Sequence, residues 1–270
     1  MFSPRSALAE DFCDHLASEF EAAFPGSSAE ADLLRLEASH AIAALQHAST
    51  VYHDAEHTML ATLVAQELMR GRQQVEPVSS SDWLHFLVIL LLHDIGFVGG
   101  ACRGDTDRGR VIDEEGALFR MPRGASDAAM IPHHVTRGMI HARERYADHP
   151  LLDADRIAAG IHGTLYPAPT GPDAIDDASE PGLARAADFV GQLADPHYLE
   201  KTVALFWELV ECGIAAEAGY ESPDDITARY PEFFRASVEP HLGPARGYLE
   251  RTEDGRACIA RLYGHLEAAR

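Results

Sequence analysis

Leu87, Val88, Ile89, Leu90, Leu91 and Leu92 form an unbroken aliphatic run that ends on His93-Asp94. Six such residues in a row predict a helix with no solvent face. A carboxylate at the end of that helix must be compensated, because leaving it buried and unpaired costs several kcal/mol or forces protonation. A divalent cation would compensate Asp94 and would also account for the imidazole beside it. Upstream, Tyr52-His53-Asp54-Ala55-Glu56-His57 holds two more imidazoles four residues apart. A helix would present both on one face.

The chain has 270 residues, 46% of them hydrophobic and 24% charged, which suits one large domain or a domain with a helical appendage. Residues 1–5 lack the features of a signal peptide, and the run 87–92 is far short of the roughly 20 residues a membrane span needs. Cys13, Cys102, Cys212 and Cys258 share no metal-type or redox-type spacing, so reduced thiols in a cytoplasmic protein are expected. A net charge of −21 argues against a nucleic-acid polymer or an anionic membrane as partner. The cations are 21 Arg and one Lys, Lys201. Genome composition is the bland cause, but any phosphate held by a side-chain cation here is held by Arg, which can pair two hydrogen bonds with it.

Helical periodicity dominates, and the fold class expected is all-α. Helices are predicted over 4–24, with Leu8, Phe12, Leu16, Phe20 and Phe24 on one stripe, then 28–47, 55–70 and 82–94. Residues 96–125 hold seven Gly and five Arg with little apolar pattern, which predicts a long functional loop. Helices are expected again over 126–147, 153–162, 181–194, 198–216 and 245–268.

Four histidine-bearing features near helix ends carry metal-ligand chemistry, His53/His57, His93-Asp94, His133-His134 and His162, and one more aspartate, Asp188, completes them. Gaps of tens of residues suit a bundle whose facing helices project ligands into one cavity. Imidazole and carboxylate without a thiolate at ligand spacing point to Zn, Fe, Mn or Mg. Between the adjacent histidines His134 is preferred, because Gly138 one turn later permits close helix approach.

In this order the features resemble the HD superfamily of metal-dependent phosphohydrolases, over about residues 50–197. Tyr52-His53-x-x-x-His57 looks like the signature of cyclic nucleotide phosphodiesterases, and Ala187-Asp188 with Ala194-Asp195-Pro196 resembles the superfamily's last ligand helix. The resemblance implies an HD-domain helical bundle at 49–197, N-terminal helices at 1–48 packed on it, and a C-terminal helical extension at 198–270. It implies His57, His93, Asp94 and Asp188 as ligands of one metal, with Asp94 bridging to a second held by His134 and His162. His53 matches the proton donor to the leaving oxygen, making His53 and Asp94 the catalytic pair. Two such cations would turn a bridging water into hydroxide and neutralise phosphoryl charge. The expected activity is a phosphodiesterase on a cyclic nucleotide or another small phosphoester. Arg103, Arg137 and Arg185 are candidate phosphate contacts.

Departures bear on the substrate. The pair continues Ile95-Gly96-Phe97, without the further histidine of mammalian-type phosphodiesterases. It resembles the cyclic-di-GMP phosphodiesterases called HD-GYP, but with Phe97 where they have lysine. Their GYP element has only a faint echo in His162-Gly163-Thr164-Leu165-Tyr166-Pro167. Mixed-valent di-iron oxygenases of the HD fold share the six-ligand set, and nucleotide phosphatases belong to the same superfamily. A regulatory protein that kept the metal is the remaining alternative. His40 and His47, on one helical face, read as packing or surface groups. Phe206, Trp207, Tyr220, Phe233 and Phe234 read as core packing before base stacking.

Overall fold

The structure, a computed structural model, describes residues 4–269. It is all-α. The first two helices, α1 (Pro4–Ala23) and α2 (Ser28–Leu45), pack on each other through Phe12, Leu16 and Phe20 on one side and Leu34, Ile42 and Leu45 on the other. Leu8, predicted on the buried stripe, is exposed. Helix α3 (Ala55–Gln73) begins where the Asp54 side chain accepts from the amides of Glu56 and His57, at 2.9 and 3.1 Å. His53 therefore precedes the helix rather than sharing a face with His57 on it, because an aspartate cap satisfies two amides that a longer helix would have bonded itself.

Helix α4 (Ser80–Leu92) starts at a Ser79–Asp82 capping box, and every residue from Trp83 to Leu92 is buried. It packs against α2, α3 and two later helices, α6 (Ala154–Gly163) and α7 (Glu180–Leu193). The aliphatic run is thus the centre of the fold. Its helix stops at Leu92, and Ile95–Phe97 form a tighter single turn beyond Asp94. The predicted helix over 126–147 is divided. Asp127–Met130 make a short turn, Pro132 supplies no amide hydrogen, and α5 (His134–Tyr146) starts two residues later.

The Gly- and Arg-rich segment contains one small hairpin, β1 (Arg110–Val111) and β2 (Leu118–Phe119), with Arg110 opposite Phe119. Its base is organised by Arg137 of α5, which is fully buried. The guanidinium donates to the carbonyls of Gly96, Val98 and Val111 at 2.6, 2.9 and 2.6 Å and to both oxygens of Asp105 at 2.8 Å. All five of its N–H groups are used. The C-terminal part consists of α8 (Tyr198–Glu211), α9 (Ile214–Ala218), α10 (Pro223–Phe233), α11 (Gly243–Leu249) and α12 (Glu253–Ala268). The predicted helices over 198–216 and 245–268 are each broken in two. Gly213 adopts a left-handed φ of 84°, and Thr252 caps α12 as a new start. Buried side chains from Phe12 to Leu266 form one continuous core cluster. No helix among the described residues is long and apolar enough to cross a membrane.

Gly96 lets α5 approach the end of α4. A β-carbon on Gly96 would overlap the backbone carbonyl of His134, whereas one on Gly138 would press on the Ile161 side chain of α6 at 3.1 Å. Gly96→Ala must therefore move backbone, and we expect a loss of about 3 kcal/mol or more of stability by denaturant titration. Arg137→Met should cost a similar ~3–5 kcal/mol, since it strands the Asp105 carboxylate and three carbonyls. A change below about 1 kcal/mol in either variant would contradict this packing.

Candidate metal centre

Four side chains from three helices meet at the C-terminal end of α4. His57 comes from the first turn of α3, His93 and Asp94 from the end of α4, and Asp188 from the middle of α7. The His57 and His93 Nε2 atoms are 3.2 Å apart. Asp94 Oδ2 lies 3.5 Å from His57 Nε2 and 3.3 Å from His93 Nε2, and Asp188 Oδ1 lies 3.2 and 3.5 Å from the same two atoms. The ligand atoms of His57, His93 and Asp94 all fall within 4.8 Å of one another, and all three residues are buried.

Two compensations exist for these carboxylates, protons on the imidazoles or a cation. No Lys or Arg among the described residues is within ion-pair distance of Asp94 or Asp188. Charge-assisted hydrogen bonds run at about 2.7–2.9 Å, shorter than any of these separations. Ligands bonded at about 2.0–2.2 Å to one ion stand about 3–3.5 Å apart, as these atoms do. Asp94 Oδ2 is buried with no hydrogen-bond partner. The tautomer also fits, since His93 Nδ1 donates to the Leu90 carbonyl at 2.7 Å and leaves Nε2 as the free lone pair. These residues suit a divalent metal with nitrogen and oxygen ligands.

The electrostatics describe the same need for positive charge. Burial would strip the proton from His93, but Asp94 and Asp188 outweigh it and hold its pKa up to about 9. Burial would raise both aspartates, yet the surrounding imidazoles, His93 foremost, hold Asp94 and Asp188 below the usual carboxylate range. The other Asp94 oxygen, Oδ1, faces His134 Nε2 at 3.8 Å. His134 Nδ1 is fixed by the Ile131 carbonyl at 2.6 Å, so it too directs a free Nε2 inward. Asp94 thereby turns one oxygen to His57 and His93 and the other to His134, the disposition a bridging carboxylate needs. His133 packs its ring on Phe119 at 5.2 Å, away from this role.

His162, expected beside His134, is half-buried at the end of α6, and no hydrogen bond or ion pair joins it to the cluster. Two of the three candidate phosphate contacts are engaged by other groups of the protein. Arg103 donates to the Glu144 carbonyl at 2.7 Å, and the Arg137 guanidinium is saturated by the segment it organises. Arg185 is 1% exposed and donates through Nε to the Gly163 carbonyl at 3.0 Å. Its terminal nitrogens lack hydrogen bonds, with Asp177 3.7 Å away. It lies inside the α6–α7 contact. His40 stacks on His141 at 5.8 Å, and His47 is exposed. Phe206 and Phe234 are buried as expected, whereas Trp207 is 59% exposed.

Two residues of the site escaped sequence reasoning. Glu208 of α8 is buried, accepts the amides of Val51 and Tyr52 on Oε1 at 2.6 and 2.7 Å, and holds His53 Nδ1 on Oε2 at 2.6 Å. Burial lowers the His53 pKa, but the Glu208 hydrogen bond and charge, with Asp94 and Asp188, raise it to about 9. Glu208 itself stays below the normal carboxylate range, since His53 and the two amides outweigh its burial. The available signal was a single carboxylate inside Leu205-Phe206-Trp207-Glu208-Leu209-Val210. The second is Phe97, whose ring stacks on His134 at 4.4 Å and on His53 at 5.1 Å. It orients both imidazoles from the position where the sequence showed only a missing lysine.

In metal-free protein, His53 should titrate near pH 9 by NMR. Glu208→Gln removes a charge-assisted hydrogen bond worth about 1.5–3 kcal/mol, so that titration should move down by about 1–2 pH units. An unmoved titration would mean that Glu208 does not govern the imidazole.

No curated protein and no solved structure matches this chain. The family described as Npun_R2479-like matches residues 2–269, and the chain belongs to that family.

Proposed function

We propose that this protein is a metal-dependent phosphohydrolase of the HD superfamily, most specifically a phosphodiesterase on a cyclic nucleotide or another small phosphoester. The observation that carries this reading is the convergence of His57, His93, Asp94 and Asp188, with His134 on the second Asp94 oxygen and a carboxylate-backed histidine beside them. His57, His93, Asp94 and Asp188 would hold one divalent ion, and Asp94 with His134 would contact a second. Bound there, the ions would supply a water of lowered pKa and neutralise charge on the phosphoryl oxygens.

The chain's own groups supply the proton for the leaving oxygen. Glu208 engages His53 at Nδ1, so Nε2–H is the one left to donate. Glu208, Asp94 and Asp188 favour the protonated ring, which a general acid requires before the bond breaks. Stacking on Phe97 and the T-shaped contact with His57 at 5.7 Å keep that ring oriented toward the cluster. Phe97, stacked on His53 and His134, is fully buried and keeps bulk water from this side. Since the acid must carry its proton, activity should fall as pH rises through the His53 pKa, and Glu208→Gln should bring that alkaline decline to lower pH.

The test is a panel of cyclic nucleotides, dinucleotides, nucleotides and a chromogenic diester, each with Mn, Mg, Zn and Fe. We expect turnover of at least one phosphoester, a loss of about 10²–10⁴-fold in kcat for His53→Ala, and metal content unchanged in that variant. Asp94→Ala should lose the metal. Absence of turnover across the panel in metal-replete protein would overturn the reading. Two Fe per chain with dioxygen consumption would replace it with the oxygenase of the same superfamily.

A further inference from the structure

His53 lies outside any helix, so its place depends on what holds the turn 49–54. Helix α8 grips one side of that turn, where Glu208 takes the amides of Val51 and Tyr52 and the ring nitrogen of His53. Thr50 closes the turn from within, its hydroxyl donating to the His53 carbonyl at 2.5 Å. Asp127 holds the other side. Its Oδ2 accepts the Ser49 amide at 2.7 Å, and its own amide donates to the Ser49 hydroxyl at 2.9 Å. The residue before it ties back to α8, since the Ser126 hydroxyl donates to Glu211 at 2.6 Å, three residues beyond Glu208.

The second carboxylate oxygen of Asp127 belongs to Arg110 of β1. Arg110 pairs through Nη2 with Asp127 Oδ1 and donates through Nη1 to the Phe97 carbonyl at 2.8 Å. Gly99 leaves room for the guanidinium, because a β-carbon there would lie 3.0 Å from Nη2. Phe97 in turn stacks on His53 at 5.1 Å and on His134 at 4.4 Å. One guanidinium and one carboxylate thus join the two elements that bear on the His53 ring: the turn that carries it and the aromatic face it lies against. The two side chains are 17% and 11% exposed. A pair so placed adds little net stability, since desolvation offsets much of its attraction. Its hydrogen bonds are directional, however, and neither element can shift without breaking one.

We propose that Arg110 and Asp127 are positioning residues for His53, their ion pair locking the turn 49–54 and the Phe97 ring into one register. The catalytic consequence rests on the phosphohydrolase reading, in which His53 delivers the proton; the geometry does not. A general acid works only within hydrogen-bond reach of the atom it protonates, so a small displacement of its ring costs rate without costing substrate affinity. The Gly- and Arg-rich segment thereby acts on the site through Arg110, which touches neither the metal ligands nor the substrate's place among them.

Proton–carbon correlation spectra of the histidine rings, recorded on the full-length protein, read this geometry without turnover. The Phe97 ring shifts the His53 and His134 signals, and Phe97→Leu, which removes that ring, gives the reference positions. Asp127→Asn keeps an acceptor for Ser49 but cancels the ion pair, and Arg110→Met removes both of its bonds. We expect each to move the two signals toward their Phe97→Leu positions. Arg143→Met cuts the tie to Glu114 on the same segment, reaches neither Ser49 nor Phe97, and should leave the signals in place. On a phosphoester that the wild type turns over, Asp127→Asn and Arg110→Met should each lower kcat about tenfold or more, with KM within about twofold and metal content unchanged. The double variant should be no slower than the slower single one, because the pair acts as a unit. Signals that stay in place in both variants overturn the proposal, as does an equal shift in Arg143→Met or an unchanged kcat. Should the wild type hydrolyse no phosphoester, the phosphohydrolase reading falls, and the ring spectra still decide whether the pair positions His53.

Discussion

A carboxylate at the end of a helix buried on every side is the constraint around which this structure is arranged. Asp94 follows ten consecutive buried residues of α4 and is itself 1% exposed. No Lys or Arg among the described residues compensates it, so the counter-charge must come from imidazoles or from what the imidazoles hold. That requirement dictates the neighbours. Helix α3 delivers His57 at its first turn, α7 delivers Asp188, and α5 starts at His134 against the glycine that makes room for it. A buried ion pair is weak evidence of stability, because desolvation offsets much of the Coulomb gain. A cluster so expensive to bury, with an unpartnered Asp94 oxygen at its centre, is what the proposed metal centre would account for.

The histidines of the site divide by what stands behind them. His93 and His134 each bond a backbone carbonyl through Nδ1, a neutral acceptor that fixes the tautomer and leaves Nε2 as a ligand. His53 bonds the Glu208 carboxylate instead, a full negative charge that favours the imidazolium. One residue type thus stands in two electrostatic settings, set by the partner on Nδ1. The C-terminal helices accordingly belong to the site. Helix α8 supplies Glu208, and that one side chain also closes the two amides of the turn that carries His53.

Arg137 shows how a charged residue can serve architecture alone. It was one of three candidate phosphate contacts, but its five donors are spent on three carbonyls and Asp105. Among the described side chains, three of the four arginines left without a partner lie on the outer part of the segment that Arg137 organises. Nothing in local sequence separates the two kinds, since the difference is whether a chain returning from elsewhere reaches the guanidinium.

The sequence alone determined the all-α class and the central buried helix, through a 3.6-residue period and an aliphatic run without a polar face. The grouping of His57, His93, Asp94 and Asp188 came from the family resemblance, and the structure brings those four side chains together. Helix limits were less legible at 131–134, 213 and 250–252, where a proline, a left-handed glycine and a fresh cap interrupt apolar patterns that continue past them. Only the tertiary structure decided that His53 stands outside α3 and is paired with a glutamate 155 residues away. It alone decided that His162 lacks a bond to the cluster, and that Phe97 rather than a cation orders the rings. Such pairings depend on which helices meet and in what rotation, and those follow from packing the whole core rather than from any local stretch of chain.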